Sequence, residues 1–313
     1  MIPRTALAAL LHAATIAAVC TKLENCPQFE KLKTNDCQTY HHFLARGSTS
    51  PYPGHLIETV GKVCDKLNDG AHPNACGYED LEYAAMNGGE RWCQSAHEGA
   101  LNGAEQMRNY TARCPQSHLI VMGFSQGGSV QLDVMGGGGG ELWGCNQKTN
   151  PAMDINSAPG SKGRYQHLLE KGHICWLNPA VAAVLTFGAT RRSANQPFTF
   201  GGGQISDGGA PRTAEQNAGL QPYADAGKLR EYCQPHDPIC APHSGDTDMK
   251  FHLDYFEKFG NEAADWVVAR AKNASAVPEV GSGTTSGASD MLRKGISHPL
   301  SNVFILLIVL FVL

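Results

Sequence analysis

Gly123-Phe124-Ser125-Gln126-Gly127-Gly128 sets a serine between glycines at the spacing of a nucleophile turn. The preceding His118-Leu119-Ile120-Val121-Met122 is a short apolar run rich in strand formers. The following Ser129 to Met135 has helical spacing, with Val130, Leu132 and Val134 apolar. Strand, tight turn and helix together lift a serine hydroxyl out of a sheet edge. Glycines at 123 and 127 let strand and helix close without Cβ clashes. The helix N-terminus then brings partly positive N–H groups to the place where an oxyanion forms. Taken alone, the motif also reads as a glycine-rich turn with an exposed serine.

A serine hydroxyl is a poor nucleophile until a base takes its proton. In chains with this turn the acid and the base follow the serine, at strand ends on the same sheet edge. The histidines downstream of Ser125 are His167, His173, His236, His243, His252 and His298. His298 lies in a removable tail, and His167 and His173 flank a segment that reads as helix and turn. Asp237 sits in Cys233-Gln-Pro-His-Asp-Pro-Ile-Cys240, where two cysteines seven residues apart can clamp a loop. A clamped carboxylate suits a residue that must orient an imidazole; the other reading of Asp237 is a turn-forming Asp-Pro. His252 comes 15 residues after Asp237, just before the last helix. A loop of that length can fold back to set His252 between Asp237 and Ser125, whereas His243 returns less easily. The expected chemistry is two-step acyl transfer through Ser125 and His252, with no metal or cofactor, and activity should fall as the imidazole is protonated. His41 and His42 are adjacent on a strand and point to opposite faces, which argues against a metal-binding pair.

These residues carry a family resemblance. Ala45-Arg46-Gly47-Ser48-Thr49, Gly123 to Gly127, Cys233 to Cys240 with its inner Asp-Pro, and His252-Leu253-Asp254-Tyr255 occur in this order over residues 37 to 270. Together they resemble the cutinase and acetylxylan esterase family of secreted serine esterases. The resemblance implies Ser125 as nucleophile, His252 as general base and Asp237 as its partner. It also implies an oxyanion hole from the backbone N–H groups of Ser48 and Gln126, and disulfides Cys37–Cys114 and Cys233–Cys240. Cys26, Cys64, Cys76, Cys93, Cys145 and Cys175 stay unassigned, since six cysteines allow fifteen pairings.

The chain departs from both branches of that family. Ser244-Gly245-Asp246-Thr247-Asp248 is polar where cutinases carry an aliphatic lip, while the double glycine after Gln126 and the extra cysteines lean toward acetylxylan esterases. The expected function is a secreted carboxylic-ester hydrolase acting on cutin-type or acetylated polysaccharide esters. A catalytically silent, anchored cell-wall protein is the alternative. A lipase with a lid is a second rival, and no amphipathic lid helix is visible beside the site.

Alternating strand and helix patterns predict an α/β fold: a three-layer sandwich around a central, mostly parallel sheet, with no lid domain. Strands are expected at 40–45, 80–85, 118–122, 180–187 and 229–233. Helices are expected at 54–67, 94–112, after Ser125 and at 254–271, the last strongly amphipathic. Gly136 to Gly140 reads as a flexible surface loop, and residues 189–222, rich in Gly, Pro, Asn and Gln, as a long irregular excursion. The catalytic domain is drawn over 37–272, after a loosely packed leader at 21–36 and before a Ser/Gly-rich linker at 273–287.

The 313 residues suffice for one large domain. A net charge of −4 gives no electrostatic case for a nucleic-acid partner. Few charges and abundant glycine suit a loop-rich extracellular protein, as do eleven cysteines. Residues 1–20 read as a secretory signal peptide, with cleavage somewhere between Ala18 and Thr21. Loss of Cys20 with it would leave an even number, suggesting five disulfides. At the other end, Gly287-Ala288-Ser289, a polar spacer and the apolar run Val303 to Leu313 have the form of a glycosylphosphatidylinositol signal over 288–313, with Gly287 as attachment point. A tail-anchoring or buried terminal helix is the alternative. Asn109 and Asn273 begin glycosylation sequons. The expected partner is an ester of a plant or cell-wall polymer, met by a monomer that touches membrane only through a lipid anchor.

Overall fold

Three segments of this chain have no polar face to offer water. Tyr40–Ala45, His118–Phe124 and Val181–Phe187 are buried along their whole lengths, as strands covered on both sides must be. The structure, a computed structural model, describes residues 26–154 and 181–275. The elements in the first stretch are β1 (Tyr40–Ala45), α1 (Leu56–Leu67), β2 (Cys76–Asp80), α2 (Gly89–Arg113), β3 (His118–Phe124), α3 (Gln126–Gly136), β4 (Gly138–Leu142) and β5 (Cys145–Asn150). The second stretch holds β6 (Val181–Phe187), β7 (Thr199–Phe200), α4 (Ala214–Asp225), β8 (Leu229–Tyr232), α5 (Met249–Leu253) and α6 (Tyr255–Ser275).

Six strands form a parallel sheet in the order β2-β1-β3-β6-β8-β7. Side chains alternate across it. Leu44, Ile120, Met122, Leu185 and Phe187 pack on α1 and α6 through Leu56, Val60, Val63, Phe256 and Val267. Phe43, Leu119, Val121 and Val184 face the other way, onto Ala96, Ala100 and Met107 of α2 and Val130 and Val134 of α3. The three-layer α/β architecture is therefore present, and the apolar strands dictate it.

Five local expectations are corrected. The second strand lies at Cys76–Asp80 rather than 80–85. The Cys64–Cys76 disulfide ties its start to α1, and after Leu81 the backbone turns to side chains: the Tyr52 hydroxyl donates to Leu81 O and Tyr83 O. The glycine run is not a flexible loop but enters a β4–β5 hairpin. A Cβ on Gly138 would lie 2.7 Å from Asn150 Oδ1, and one on Gly139 2.6 Å from Thr149 Cα, so these glycines serve close packing.

Residues 189–222 contain β7 and α4, the latter started by a capping box between Thr213 and Gln216. Their anchors are buried arginines together with Leu220 and Tyr223 of α4, which are fully buried. Arg191 and Arg212 flank Asp133 of α3, and Arg192 pairs with Glu231 of β8. The leader is not loose where it is described. Pro27–Leu32 forms a 3₁₀ helix, Cys26 and Leu32 are buried, and Thr34 N donates to Tyr78 O at 3.0 Å. At the far end α6 runs to Ser275, whose hydroxyl meets the Tyr40 hydroxyl at 2.8 Å, so the sequon at Asn273 lies on helix rather than linker.

Candidate active site

β3 delivers Ser125 to the C-terminal edge of the sheet, the edge at which open α/β sheets bind ligands. Ser125 adopts φ 56° and ψ −119° before α3 begins at Gln126. Such a backbone is strained for a residue with a side chain, and the neighbours hold it there. Ser125 N donates to Phe187 O of β6 at 2.8 Å. A Cβ on Gly123 would lie 2.3 Å from Gly127 O, and one on Gly127 1.9 Å from Ala45 O. Both glycines are needed because β1, β3 and α3 approach backbone to backbone.

Asp237 follows β8 inside the bonded pair Cys233–Cys240 and is fully buried. Its Oδ1 accepts the N–H groups of Ile239 (2.7 Å) and Cys240 (3.2 Å). Its Oδ2 accepts the Tyr255 hydroxyl at 2.7 Å. Burial works to raise its pKa, but the hydrogen bond and charge of His252, with the donors from Tyr255 and Ile239, outweigh it and hold the carboxyl below its ordinary value. Burial, and then the Asp237 charge, push the Tyr255 phenol well above its own ordinary value, so it stays a donor.

His252 sits on the one-turn helix α5, started by the Asp248 side chain accepting Lys250 N–H at 2.9 Å. Its Nδ1 lies 2.9 Å from Asp237 Oδ2 and its Nε2 2.9 Å from Ser125 Oγ. Phe124 stacks on the imidazole at 5.0 Å between centroids. Gly188 lies against the ring, where a Cβ would come within 2.8 Å of Cε1. Three side chains from distant parts of the chain thus form one line: carboxylate, imidazole, hydroxyl.

Ser48 follows β1 in a turn that borders the same cleft as Ser125. Gly47 brings this turn so near that a Cβ there would be 3.4 Å from Ser125 Cβ. The turn is held by Thr49 N donating to Ala85 O at 2.8 Å, and by Arg46 Nε donating to Ser50 O at 2.8 Å with its guanidinium over the Tyr52 ring. Gln126 opens α3, and its buried side chain donates to Met86 O and Trp92 O. The cleft encloses about 460 Å³.

Cys37–Cys114, Cys64–Cys76 and Cys93–Cys145 are bonded as well. His41 stacks on Tyr110 on one side of β1, and His42 meets Gly77 O on the other. His42 also lies by the sulfurs of Cys64 and Cys76, but these are joined in a disulfide and are not the thiolates a metal needs. Asn109 and Asn273 are exposed on α2 and α6. Residues 1–20 with Cys20, the segment with His167, His173 and Cys175, Gly287 and the terminal run with His298 lie outside the described residues.

Sequence reasoning gave no role to Tyr255, Gly188 or His55. Tyr255 was within reach, standing three residues past His252, where α5 gives way to α6. His55, stacked on Phe256 at the cleft wall, has its pKa lowered by burial and by the nearby charge of His252; its Pro-Gly-His context carries no chemical signal.

The cutinase family model matches residues 36–271. The chain belongs to the cutinase family. As a member it is a serine esterase. Acetylxylan esterase of Hypocrea jecorina is 22% identical over 272 residues, covering 86% of this chain and 79% of that protein. Cutinase 11 of Verticillium dahliae is 24% identical over 248 residues, covering 79% and 74%. Among solved structures, an iodinated complex of acetyl xylan esterase superposes with a TM-score of 0.52 at 19% identity, covering 75% of this chain and all of that one. A cutinase-like protein from Cryptococcus sp. gives 0.50 at 13% identity, covering 77% and 97%. At these identities the structural likeness speaks for the fold. Among the described residues no helix is long and apolar enough to cross a membrane.

Proposed function

We propose that this esterase cleaves ester groups on cutin-type or acetylated polysaccharide polymers, with Ser125 as nucleophile. The observation that carries this reading is the unbroken line from Asp237 through His252 to Ser125 Oγ. Asp237 accepts Nδ1–H and so leaves Nε2 as the free base facing the serine. Ser125 attacks the ester carbonyl as its proton passes to Nε2. The tetrahedral oxyanion is met by the N–H groups of Ser48 and Gln126, each donor contributing about 3–4 kcal/mol. His252 then gives its proton to the leaving alcohol oxygen. Water, deprotonated by the same nitrogen, releases the acid and restores the serine.

Four disulfides among the described residues support an oxidising, extracellular setting. The signal peptide at 1–20, glycans on Asn109 and Asn273 and a lipid anchor at Gly287 belong to the same proposal. The test is hydrolysis of p-nitrophenyl esters from acetate to palmitate, together with labelling by a serine-directed phosphonate. Ser125→Ala should abolish both. Turnover that survives in Ser125→Ala would overturn the assignment of the nucleophile. Absence of both turnover and labelling in the wild type would favour the silent cell-wall protein.

A further inference from the structure

Trp143 stands where the backbone discourages a large side chain. Leu142 pairs with Cys145 across the β4–β5 hairpin. Between them Trp143 and Gly144 have φ of 48° and 86°, the mirror-image two-residue turn whose first position normally goes to Asn, Asp or Gly. An aromatic residue with positive φ is an outlier. Burial does not account for it, since Trp143 is 43% exposed.

The indole is nevertheless held in place. It meets Trp92 of α2 with ring centroids 4.9 Å apart and planes at 63°. The residue after Trp92 is Cys93, bonded to Cys145 two positions beyond Trp143. Gln147 Nε2 adds a hydrogen bond to Cys93 O at 2.7 Å. A covalent bridge between neighbours therefore sets the half-exposed Trp143 indole in a corner against the buried Trp92, and both border the cleft that contains Ser125. Asn87, Gly88 and Ser50 bring amide and hydroxyl groups to the same cleft. Met249 and Leu253 come from α5, which leads into the helix layer on the other side of the sheet.

Indole offers a flat apolar face with one N–H at its edge. That matches a pyranose ring, whose C–H groups make an apolar face and whose hydroxyls stand at the rim. An aliphatic chain is better served by an enclosed apolar slot than by a corner open to water. We infer that Trp143, backed by the buried Trp92, is the platform of a carbohydrate subsite, which seats a pyranose unit of a polysaccharide on the alcohol side of the ester presented to Ser125. The chemistry at that ester rests on the esterase reading; the binding does not.

The experiment has two arms. In Ser125→Ala full-length protein, calorimetric titration with unacetylated xylohexaose should show saturable binding, and adding Trp143→Ala should weaken it at least tenfold. In the protein with Ser125 intact, Trp143→Ala should lower the ratio of kcat/KM on acetylated xylo-oligosaccharide to that on p-nitrophenyl octanoate about tenfold. Trp143→Phe should restore most of that ratio, which a folding defect would not allow. An unchanged ratio, or one that rises because octanoate suffers more, overturns the subsite. Ester turnover without xylohexaose binding overturns the subsite alone. Xylohexaose binding through Trp143 without any ester turnover overturns the esterase reading and leaves the subsite standing.

Discussion

The Tyr255 hydroxyl donates to Asp237 Oδ2 at 2.7 Å, the same oxygen that faces His252 Nδ1 at 2.9 Å. The phenol and the imidazole thus share one carboxylate oxygen, and Tyr255 helps to keep that carboxylate ionised. Tyr255→Phe removes the donor and leaves the ring. We expect kcat to fall about tenfold, as a hydrogen bond to a charged group implies, with KM little changed. Asp237 is held below its ordinary value, so loss of a donor raises it. Protonation of the carboxylate, and the inactivation that follows from it, should therefore set in at higher pH than in the wild type. The same sign governs stability: a depressed carboxylate stabilises the fold above its unfolded pKa and loses that contribution as pH falls through the folded value. Denaturant titrations should show the wild-type advantage over Tyr255→Phe shrinking as pH drops below the ordinary carboxylate range.

The Cys233–Cys240 bridge closes the short loop that carries Asp237. Its Cys240 N–H and the neighbouring Ile239 N–H both point at Oδ1. Replacing both cysteines by serine frees this loop. A misplacement of about 1 Å can lower a rate on the order of 100-fold, so kcat should fall roughly 10- to 100-fold while circular dichroism stays native. An unaltered kcat would show that the hydrogen bonds alone hold the carboxylate.

Gly127→Ala places a methyl 1.9 Å from the Ala45 carbonyl oxygen. Neither partner is a flexible side chain, so β1 and α3 must separate. Urea denaturation should show a loss of about 3 kcal/mol, the upper end for overpacking. Gly140→Ala is the control. Nothing lies within 4 Å of its added methyl, and only its φ of +95° resists, so it should lose about 1 kcal/mol.

Asp133 on α3 sits between the buried guanidinium groups of Arg191 and Arg212. Burial already lowers the pKa of Arg212. Asp133→Ala leaves two buried cations facing each other. Removing one partner of such a group costs about 3–5 kcal/mol, and the melting temperature should drop accordingly. Rescue by Arg212→Met in the same background would show that the unpaired charge, rather than the lost packing, is responsible.

The strands at Tyr40–Ala45, His118–Phe124 and Val181–Phe187 are legible in the sequence because a strand covered on both faces is mostly apolar, with few exceptions such as His41 and His42. Ser125, Asp237 and His252 are legible because a glycine-framed serine, a cysteine-framed carboxylate and a histidine before the last helix each carry a local mark. What escapes is whatever depends on partners distant in the chain. The glycine run reads as flexibility, although Gly138 and Gly139 lack Cβ atoms because Asn150 and Thr149 occupy that space. The helix Ala214–Asp225 escapes because only Leu220 and Tyr223 of it are buried, too few for a periodic stripe, and salt-bridged arginines outside it hold the rest of its region. Trp143 gives no sign of facing the cleft until the Cys93–Cys145 bridge folds its hairpin back.

The order of the three aligned side chains along the polypeptide has a consequence for biosynthesis. Once β6 has docked, the serine turn can adopt its strained shape, since Phe187 is then present to receive its N–H. The carboxylate and the imidazole arrive only 50 and 65 positions later, on the loop after β8 and on α5. A chain still emerging from the ribosome would therefore carry the hydroxyl without the base that the proposed mechanism gives it. Hydrolytic power is withheld from the nascent molecule until nearly the whole domain has been translated.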